Sequence, residues 1–197
     1  MKRLLILILL LSVLGIHAHA KRIEGYFVNS TGEHKVTFLI PISFADNEPD
    51  YLRLQSKVMY LDASDKKVAI KASEASEIRF KYHDKNICLR SRTYATTYGV
   101  NLGYPPKYHT IFLRLIIDGT LKAFIYYERG RGGVYQYVIF QKKQEKMFEV
   151  PYKLSFRKPM AEYFSDCPEL AAKIENKELL NTNLKEIVLF YNEHCGL

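Results

Sequence analysis

The sequence predicts a mostly β or α+β fold, in which an antiparallel sheet is followed by two or three C-terminal helices. Short β-prone segments fill most of the chain, and clusters of turn-forming residues separate them. The spacing of apolar residues changes to the helical period near the C-terminus. Because the links between segments are short, we expect hairpins arranged as a meander, in a sandwich-like or barrel-like sheet.

The first 20 residues predict a secretory signal peptide. Two basic residues precede an apolar run over residues 4–15, and AHA at 18–20 fits an A-x-A cleavage signal. The run is shorter than the ~20 residues that a membrane helix needs. We therefore expect a chain that is exported to the periplasm or the extracellular space, with no transmembrane span in its mature part.

The remaining 177 residues (197 minus 20) are enough for one hydrophobic core. We expect an antiparallel β domain over 21–157, with a helical segment over 158–197 packed on it. The formal charge is about +6, since two of the 29 basic residues lie in the predicted signal peptide. This charge favours anionic partners, but the basic residues are dispersed. Solubility is therefore the simpler interpretation, and no specific nucleic-acid partner is expected.

Turn formers divide the first half of the chain into strand candidates. They include NSTGE at 29–33, DASDK at 62–66 and HDKN at 83–86. A polar stretch at 45–51 contains a proline and is expected to be a loop. The predicted strands are 22–28, 36–43, 54–61, 67–71, 75–82 and 87–92.

Residues 93–109, TYATTYGVNLGYPPKYH, predict a long loop. Tyrosine combines a large surface with a hydroxyl group and few torsions, which suits contacts with carbohydrate or protein. The simpler interpretation is that these tyrosines cover the open end of the sheet. The candidate binding residues of this loop are Tyr94, Tyr98, Tyr104, Lys107 and Tyr108.

Four more strands are predicted at 110–117, 120–128, 133–141 and 146–150. The RGRGG sequence at 129–133 resembles a basic, glycine-rich motif for phosphate or RNA. A phosphate loop leads into a helix, and an RNA-binding RGG segment lies in disordered sequence, whereas strands flank this motif. We expect a hairpin turn, with Arg129 and Arg131 as candidate contacts to an anionic partner at its tip.

Helical periodicity predicts helices over 158–164, from about 166 onward, and over about 183–193. Asp166, with Glu169 three residues on, is expected to cap the second helix. If the last two helices are antiparallel, the start of one lies beside the end of the other. Cys167 and Cys195 are therefore predicted to form a disulfide.

The third cysteine, Cys88, shares a strand face with Arg90 and Arg92. Neighbouring cations would lower the pKa of its thiol and make it nucleophilic. The simpler interpretation is a small buried side chain without a chemical role.

No motif of a known catalytic or metal site is present. The four histidines of the predicted mature chain lack zinc-site spacing, and there is no nucleophile elbow, P-loop or dinucleotide fingerprint. We therefore expect no cofactor and no metal, and favour a non-enzymatic binding or envelope-associated module, with an anionic polysaccharide or another envelope protein as partner. Two alternatives remain: a hydrolase of polysaccharide or peptide with a site assembled from dispersed residues, and a structural component of an envelope assembly.

Three segments carry a resemblance to a family. They are GYFVNSTGE at 25–33, SEIRFKYHDKNICLRSR at 76–92, and YFSDCPELAAKIEN at 163–176 followed by LKEIVLFYNEHC at 184–195. Together they resemble a group of secreted proteins of Bacteroidota-type bacteria, and the D-C-P-x-L…Y-N-x-x-C pattern is the most specific part. The resemblance spans most of the chain after the predicted signal peptide. It implies secretion and a β-rich fold with a helical end, and it implies no catalytic residue.

Overall fold

The computed structural model describes residues 20–96, 107–143 and 145–196. These residues form one antiparallel sheet of ten strands followed by helices, which confirms the predicted fold class. The sheet is not closed into a barrel. The apolar run of the predicted signal peptide lies outside the described residues. The strands are β1 (Ala20–Asn29), β2 (Gly32–Pro41), β3 (Lys57–Leu61), β4 (Lys67–Lys71), β5 (Glu77–Tyr82), β6 (Lys85–Thr96), β7 (Lys107–Ile117), β8 (Leu121–Gly130), β9 (Gly133–Lys142) and β10 (Phe148–Glu149).

The strand order is β10-β9-β8-β7-β6-β5-β1-β2-β3-β4. Two meanders, β1–β4 and β5–β10, are joined because β5 pairs with β1 instead of its sequence neighbour β4. Gly25 of β1 lies at this join, and a Cβ there would come within 2.8 Å of the Phe38 ring. The hairpins expected from the short links are present, whereas the β1–β5 pairing has no local sequence signal.

The start of the predicted strand 54–61 is wrong, because residues 51–54 form a short helix, α1 (Tyr51–Leu54). The carboxylate of Asp50 accepts a hydrogen bond from the Arg53 amide at 3.2 Å and caps this helix. Tyr51 and Leu54, three residues apart, are both buried. The cap and the apolar anchors therefore outweigh the strand propensity of the segment.

The predicted loop 93–109 is too long, because strand pairing continues into it. Tyr94 pairs with His109, and Ala95 pairs with Tyr108. Threonine and tyrosine are strong strand formers, and here they extend β6 and β7. Tyr94 and Tyr108 are consequently strand residues, held in place by the pairing of β6 with β7.

The strands β7 and β8 separate, and Gln55 fills the fork between them. Their backbone pairing runs from Ile117–Ala123 only as far as Arg114–Ile125. Beyond it, the Gln55 side chain donates to the Tyr127 carbonyl at 2.8 Å and accepts from the Tyr127 amide at 2.5 Å. The Gln55 carbonyl also accepts from the Phe112 amide at 2.9 Å. This buried residue satisfies backbone groups that would otherwise lack partners.

The two faces of the sheet carry different cores. One face curls around α1 with an aromatic and aliphatic core that includes Phe38, Ile78 and Phe112. On the opposite face of β6–β9 lies a smaller cluster of Tyr94, Leu113, Phe124 and Ile139. Period-two alternation along each strand separates the two sets.

The C-terminal helices pack on the β8–β9 end of the first face. They are α2 (Arg157–Tyr163), α3 (Pro168–Glu175) and α4 (Leu184–His194), with a 3-10 turn at Lys153–Ser155. Their buried side chains contact Leu121 and Phe140 of the sheet. Cys167 and Cys195 have Cα atoms 5.7 Å apart and are disulfide-bonded, as predicted. Among the described residues, no helix is long and apolar enough to cross a membrane.

Asp166 is not the helix cap that its position predicts. Its carboxylate instead accepts from the Lys142 ammonium and from the Tyr191 hydroxyl, both at 2.6 Å. The Lys142 side chain is only 7% exposed, and its ammonium lies 4.4 Å from the centroid of the Tyr163 ring. A buried cation requires a counter-charge, so the Asp166 carboxylate pairs with Lys142 and does not cap the helix. We refer to this set (Lys142, Asp166, Tyr163 and Tyr191) as the helix–sheet junction.

Candidate functional site

A groove of about 770 Å³ opens on the second face of the sheet, between β6 and the segment that leads into β10. We name it the β6–β10 groove. Three strands, β7, β8 and β9, lie between these elements in the sheet, and sheet curvature brings the two elements together. The Tyr94 hydroxyl donates to Glu149 at 2.6 Å, and the Arg92 guanidinium donates to Gln141 at 3.1 Å. These two contacts set the width of the groove.

Tyrosines form a row beside the groove. The ring centroid of Tyr94 lies 5.1 Å from that of Tyr126, which lies 6.0 Å from that of Tyr137. Burial, with the hydrogen bond to Glu149, raises the pKa of the Tyr94 hydroxyl far above its usual value. Tyr94 therefore remains a neutral hydrogen-bond donor over the whole biological pH range.

Arg92 is the half-buried cation of the groove. Its guanidinium lies 5.4 Å from the centroid of the Phe124 ring and donates to the Ser91 carbonyl at 2.7 Å. Burial, followed by repulsion from Arg90, lowers the pKa of Arg92, which still leaves it charged. Within residues 20–96, 107–143 and 145–196, Arg92 forms no ion pair. Its charge is therefore positioned to interact with an anion that enters the groove.

Arg90 differs from Arg92 in having carboxylate partners. It donates to Glu77 at 2.8 Å and to both carboxylate oxygens of Asp118, at 3.0 and 2.8 Å. Arg90 and Arg92 lie on the same strand, two residues apart. The protein neutralises the first and leaves the second with neutral partners.

Two carboxyl groups lie at the tyrosine row, Glu128 on β8 and Glu149 on β10. Burial raises the pKa of Glu128, the Tyr137 hydroxyl opposes this rise, and the negative charge of Glu149 adds to it. Glu149 accepts the hydrogen bond from Tyr94. Such groups can accept hydrogen bonds from sugar hydroxyls, and a carboxyl with a raised pKa beside a second one can also transfer protons.

The structure brings together two of the candidates that the sequence selects in 93–109. Tyr94 and Tyr108 both line the β6–β10 groove, and the Tyr108 side chain is 65% exposed. Lys107 begins β7, and its side chain is outside what the structure describes. Tyr98 and Tyr104 also lie outside the described residues.

Arg129 and Arg131 are not among the residues that line the groove. Gly130 pairs with Gly133, so the RGRGG sequence is a hairpin turn, as expected. Gly133 has a φ of +132°, a conformation that disfavours other residues. In the described part of the chain, neither arginine has an ion-pair partner, and both remain candidates for an anionic partner at the tip.

Several groove residues were not identified from the sequence: Gln141, Phe148, Glu149 and Tyr163. Alternation along β9 could have placed Gln141 opposite Lys142, on the other face of the sheet. No local pattern reports the curvature that brings β10 to β6. These residues belong to the site only through the tertiary fold.

Cys88 is not an activated thiol. Burial raises its pKa to about 11, and the negative charge of Glu77 adds to the rise. The neighbouring Arg90 opposes the rise less strongly, because its charge is shared with Glu77 and Asp118. Cys88 is half-buried, and the simpler interpretation, a cysteine without a chemical role, fits these contacts.

No protein family, curated protein or solved structure is significantly similar to this chain. The resemblance to secreted proteins of Bacteroidota-type bacteria stays a prediction. Among the residues that the structure describes, no group of three or more histidine, cysteine or acidic side chains could hold a metal ion. Functional inference therefore rests on the groove itself.

Proposed function

We propose that the protein is a secreted or periplasmic binding module of the cell envelope, and that the β6–β10 groove holds a segment of an anionic polysaccharide. The observation that carries the proposal is Arg92, a half-buried cation that lacks a carboxylate partner among the described residues and lies among aromatic rings at the groove. A charged group in such a place favours an anionic ligand over a neutral one.

The other groove residues suit a sugar chain. Tyr108 supplies an exposed ring for stacking, while Phe148 and Tyr163, whose centroids lie 4.2 Å apart, stack on each other and form an aromatic wall. Gln141 and Glu149 supply polar atoms that can bind hydroxyl groups, and the exposed Lys146 adds a second cation. An open groove that combines rings with a few polar groups is suited to hold several sugar units.

Export is part of the proposal, and the disulfide supports it. Structural disulfides persist in oxidising compartments and are rare in the cytosol. The Cys167–Cys195 bond joins two helix ends in a region of dense packing, which is a structural use of cysteine. Together with the signal-peptide pattern at 1–20, this favours a periplasmic or extracellular location.

Calorimetric titration with soluble polymers tests the groove. We expect binding to polygalacturonate, little binding to neutral dextran, and weaker binding of polygalacturonate by the Tyr108→Ala variant, by about tenfold. Tyr26→Ala is the matched control, because Tyr26 is also exposed but lies on β1, away from the groove. Equal binding of dextran and polygalacturonate, or equal losses in both variants, would contradict the proposal.

A hydrolase is the second candidate function, because the pKa of Glu128 is raised and Glu149 lies close enough to contribute. Two carboxyl groups with different environments are the usual machinery of glycoside hydrolysis. The same polymers would then release new reducing ends over time, and Glu128→Gln would abolish that release. If no reducing ends form with wild-type protein at any pH from about 4 to 8, this candidate fails for these polymers.

The structural alternative receives less support from the described sheet edges. The edge strand β4 begins with Lys67 and ends with Lys71, and both are exposed. Lysines on an edge strand disfavour addition of a further strand. The opposite edge, β10, is only two residues long.

A further inference from the structure

A second surface, separate from the groove lining, combines exposed apolar side chains with cations. It is the segment 152–158, YKLSFRK, which follows β10 and ends in the first turn of α2. Leu154 is 100% exposed and Tyr152 is 87% exposed. Among the described large hydrophobic residues, these two are the most exposed. We refer to residues 152–158 as the projecting segment.

The projecting segment is held in a defined shape. The Ser155 amide donates to the Tyr152 carbonyl at 2.9 Å, which closes a turn and directs the residues between them outward. Phe156 directly follows and is 2% exposed, so it anchors the segment in the helical core. Tyr152 and Leu154 gain little buried area on folding, so their apolar surface is available for contact with a partner.

The charge of the projecting segment has one sign. Lys153, Arg157 and Lys158 are all exposed, and residues 150–161 contain no acidic residue. In the described chain, none of these three cations takes part in an ion pair. Their positive charge is therefore not neutralised by the protein surface around them.

We propose that the projecting segment docks the protein on an anionic lipid surface. Tyr152 and Leu154 enter the boundary between headgroups and acyl chains, and the three cations contact lipid phosphates. Tyrosine is favoured at this boundary because its ring is apolar and its hydroxyl remains hydrated. Each basic residue near an anionic membrane adds to the attraction, and the contributions add up across a cluster.

The composition favours lipid over a protein partner. A protein interface usually has a broad apolar centre with a polar rim. Here two apolar side chains project singly and cations follow them, which is the arrangement of peripheral segments that insert shallowly into a bilayer. The proposal does not depend on what the groove binds, because none of the residues 152–158 lines it.

Vesicle sedimentation tests the proposal. The full chain is mixed with vesicles of phosphatidylcholine alone, or of phosphatidylcholine and phosphatidylglycerol in equal parts. We expect binding only to the anionic vesicles, and about tenfold weaker binding for the Tyr152→Ser, Leu154→Ser double variant. Phe44→Ser is the control, because Phe44 is also an exposed large aromatic residue, at 72%. Raising the salt concentration should weaken wild-type binding, since ions screen the cations.

A matched charge control separates a defined contact from general attraction. Lys153→Gln, Arg157→Gln, Lys158→Gln and Lys66→Gln, Lys67→Gln, Lys71→Gln are triple variants with the same net charge, and all six residues are exposed. We expect the first triple variant to lose binding by about tenfold or more and the second to keep most of it. Equal losses in both variants, or no wild-type binding to anionic vesicles, would overturn the proposal.

The absence of tryptophan from the chain permits a direct measure of insertion. Tyr152→Trp places a single indole on the projecting segment, and Phe44→Trp places one elsewhere on the surface. With anionic vesicles, we expect the emission of the first to shift to shorter wavelength and that of the second to stay unchanged. Unchanged emission at position 152 while the protein is vesicle-bound would show that another surface makes the contact.

Discussion

The helix–sheet junction and the β6–β10 groove each contain a cation, but the two cations have opposite surroundings. The two regions meet at β9, where Lys142 belongs to the junction and Gln141 belongs to the groove. Lys142 of the junction has a carboxylate, a backbone carbonyl and three aromatic rings around it. Gln141, one residue earlier, points to the other face and binds Arg92 through a neutral amide. The first charge is satisfied within the fold, and the second is held by neutral hydrogen-bond partners with no ion pair among the described residues. This contrast is the reason for proposing that the junction stabilises the protein and that the groove binds a ligand.

The largest expected effect on stability comes from the Cys167–Cys195 disulfide, which lies next to the helix–sheet junction. Closing a separation of 28 residues contributes about 3.5 kcal/mol to the free energy of unfolding in the loop-entropy model. Cys167→Ala with Cys195→Ala should therefore lower the unfolding free energy measured in urea by roughly that amount. Cys88→Ala is the control, and we expect it to cost much less. An unchanged urea midpoint in the double variant would mean that the junction does not need the disulfide.

Removing Asp166 tests the charge balance of the junction. Asp166→Ala leaves the Lys142 ammonium buried without its counter-charge, and we expect a loss of about 3 kcal/mol. This value is at the lower end of the range for breaking a buried ion pair, because the Asp166 side chain is 49% exposed. Lys142→Met removes the charge while it fills the apolar space, and should cost clearly less. The opposite order of the two urea midpoints would contradict the assigned roles.

The junction should also make stability depend on acid. Burial alone would raise the pKa of Asp166, but hydrogen bonds from Lys142 and Tyr191 lower it below the usual value. A lowered pKa in the folded state stabilises the protein above the unfolded value of about 3.9, and this contribution is lost as the pH falls through the folded pKa. Unfolding in urea at about pH 6 and about pH 3 measures it. Between these two pH values, Asp166→Asn should lose less unfolding free energy than wild type. An equal loss in both proteins would refute the role assigned to Asp166.

The smallest expected effect on stability is at the groove. Arg92→Gln removes a half-buried cation that has no described carboxylate partner, so we expect a change in the unfolding free energy of about 1 kcal/mol or less. Arg90→Gln is the informative comparison, because it removes the cation that joins Glu77 and Asp118 and leaves them only Arg79 and Lys122 as ion-pair partners. We expect the Arg90 variant to be the less stable one in urea. Equal stability of the two variants would contradict the distinction between Arg90, which forms ion pairs, and Arg92, which forms none among the described residues.

Local patterns predicted the parts of the fold that local chemistry determines. Turn residues marked the hairpins, and helix lengths were enough to pair Cys167 with Cys195. The same patterns misplaced Asp166 as a cap, because they cannot show that a buried Lys142 competes for its carboxylate. They also treated Tyr94 as a loop residue, since its pairing partner His109 lies beyond a stretch rich in glycine and proline.

The candidate site was only partly predictable for a related reason. Tyrosine content indicated Tyr94 and Tyr108, and both line the groove. The acidic and amide partners, Glu149 and Gln141, come from strands that approach β6 through curvature of the whole sheet. Curvature arises from many small contributions, of which the Gln55 fork between β7 and β8 is one, and short sequence windows do not encode it.

The most direct test of the central claim is the affinity of Arg92→Gln for polygalacturonate, measured by calorimetry beside its urea stability. Arg22→Gln is the control, since it removes the same charge from an exposed site on β1 that does not line the groove. We predict that Arg92→Gln weakens binding by at least about tenfold while its stability stays near that of wild type, and that Arg22→Gln binds almost normally. Wild-type affinity in the Arg92 variant would contradict the claim that this groove is built to hold an anionic polymer.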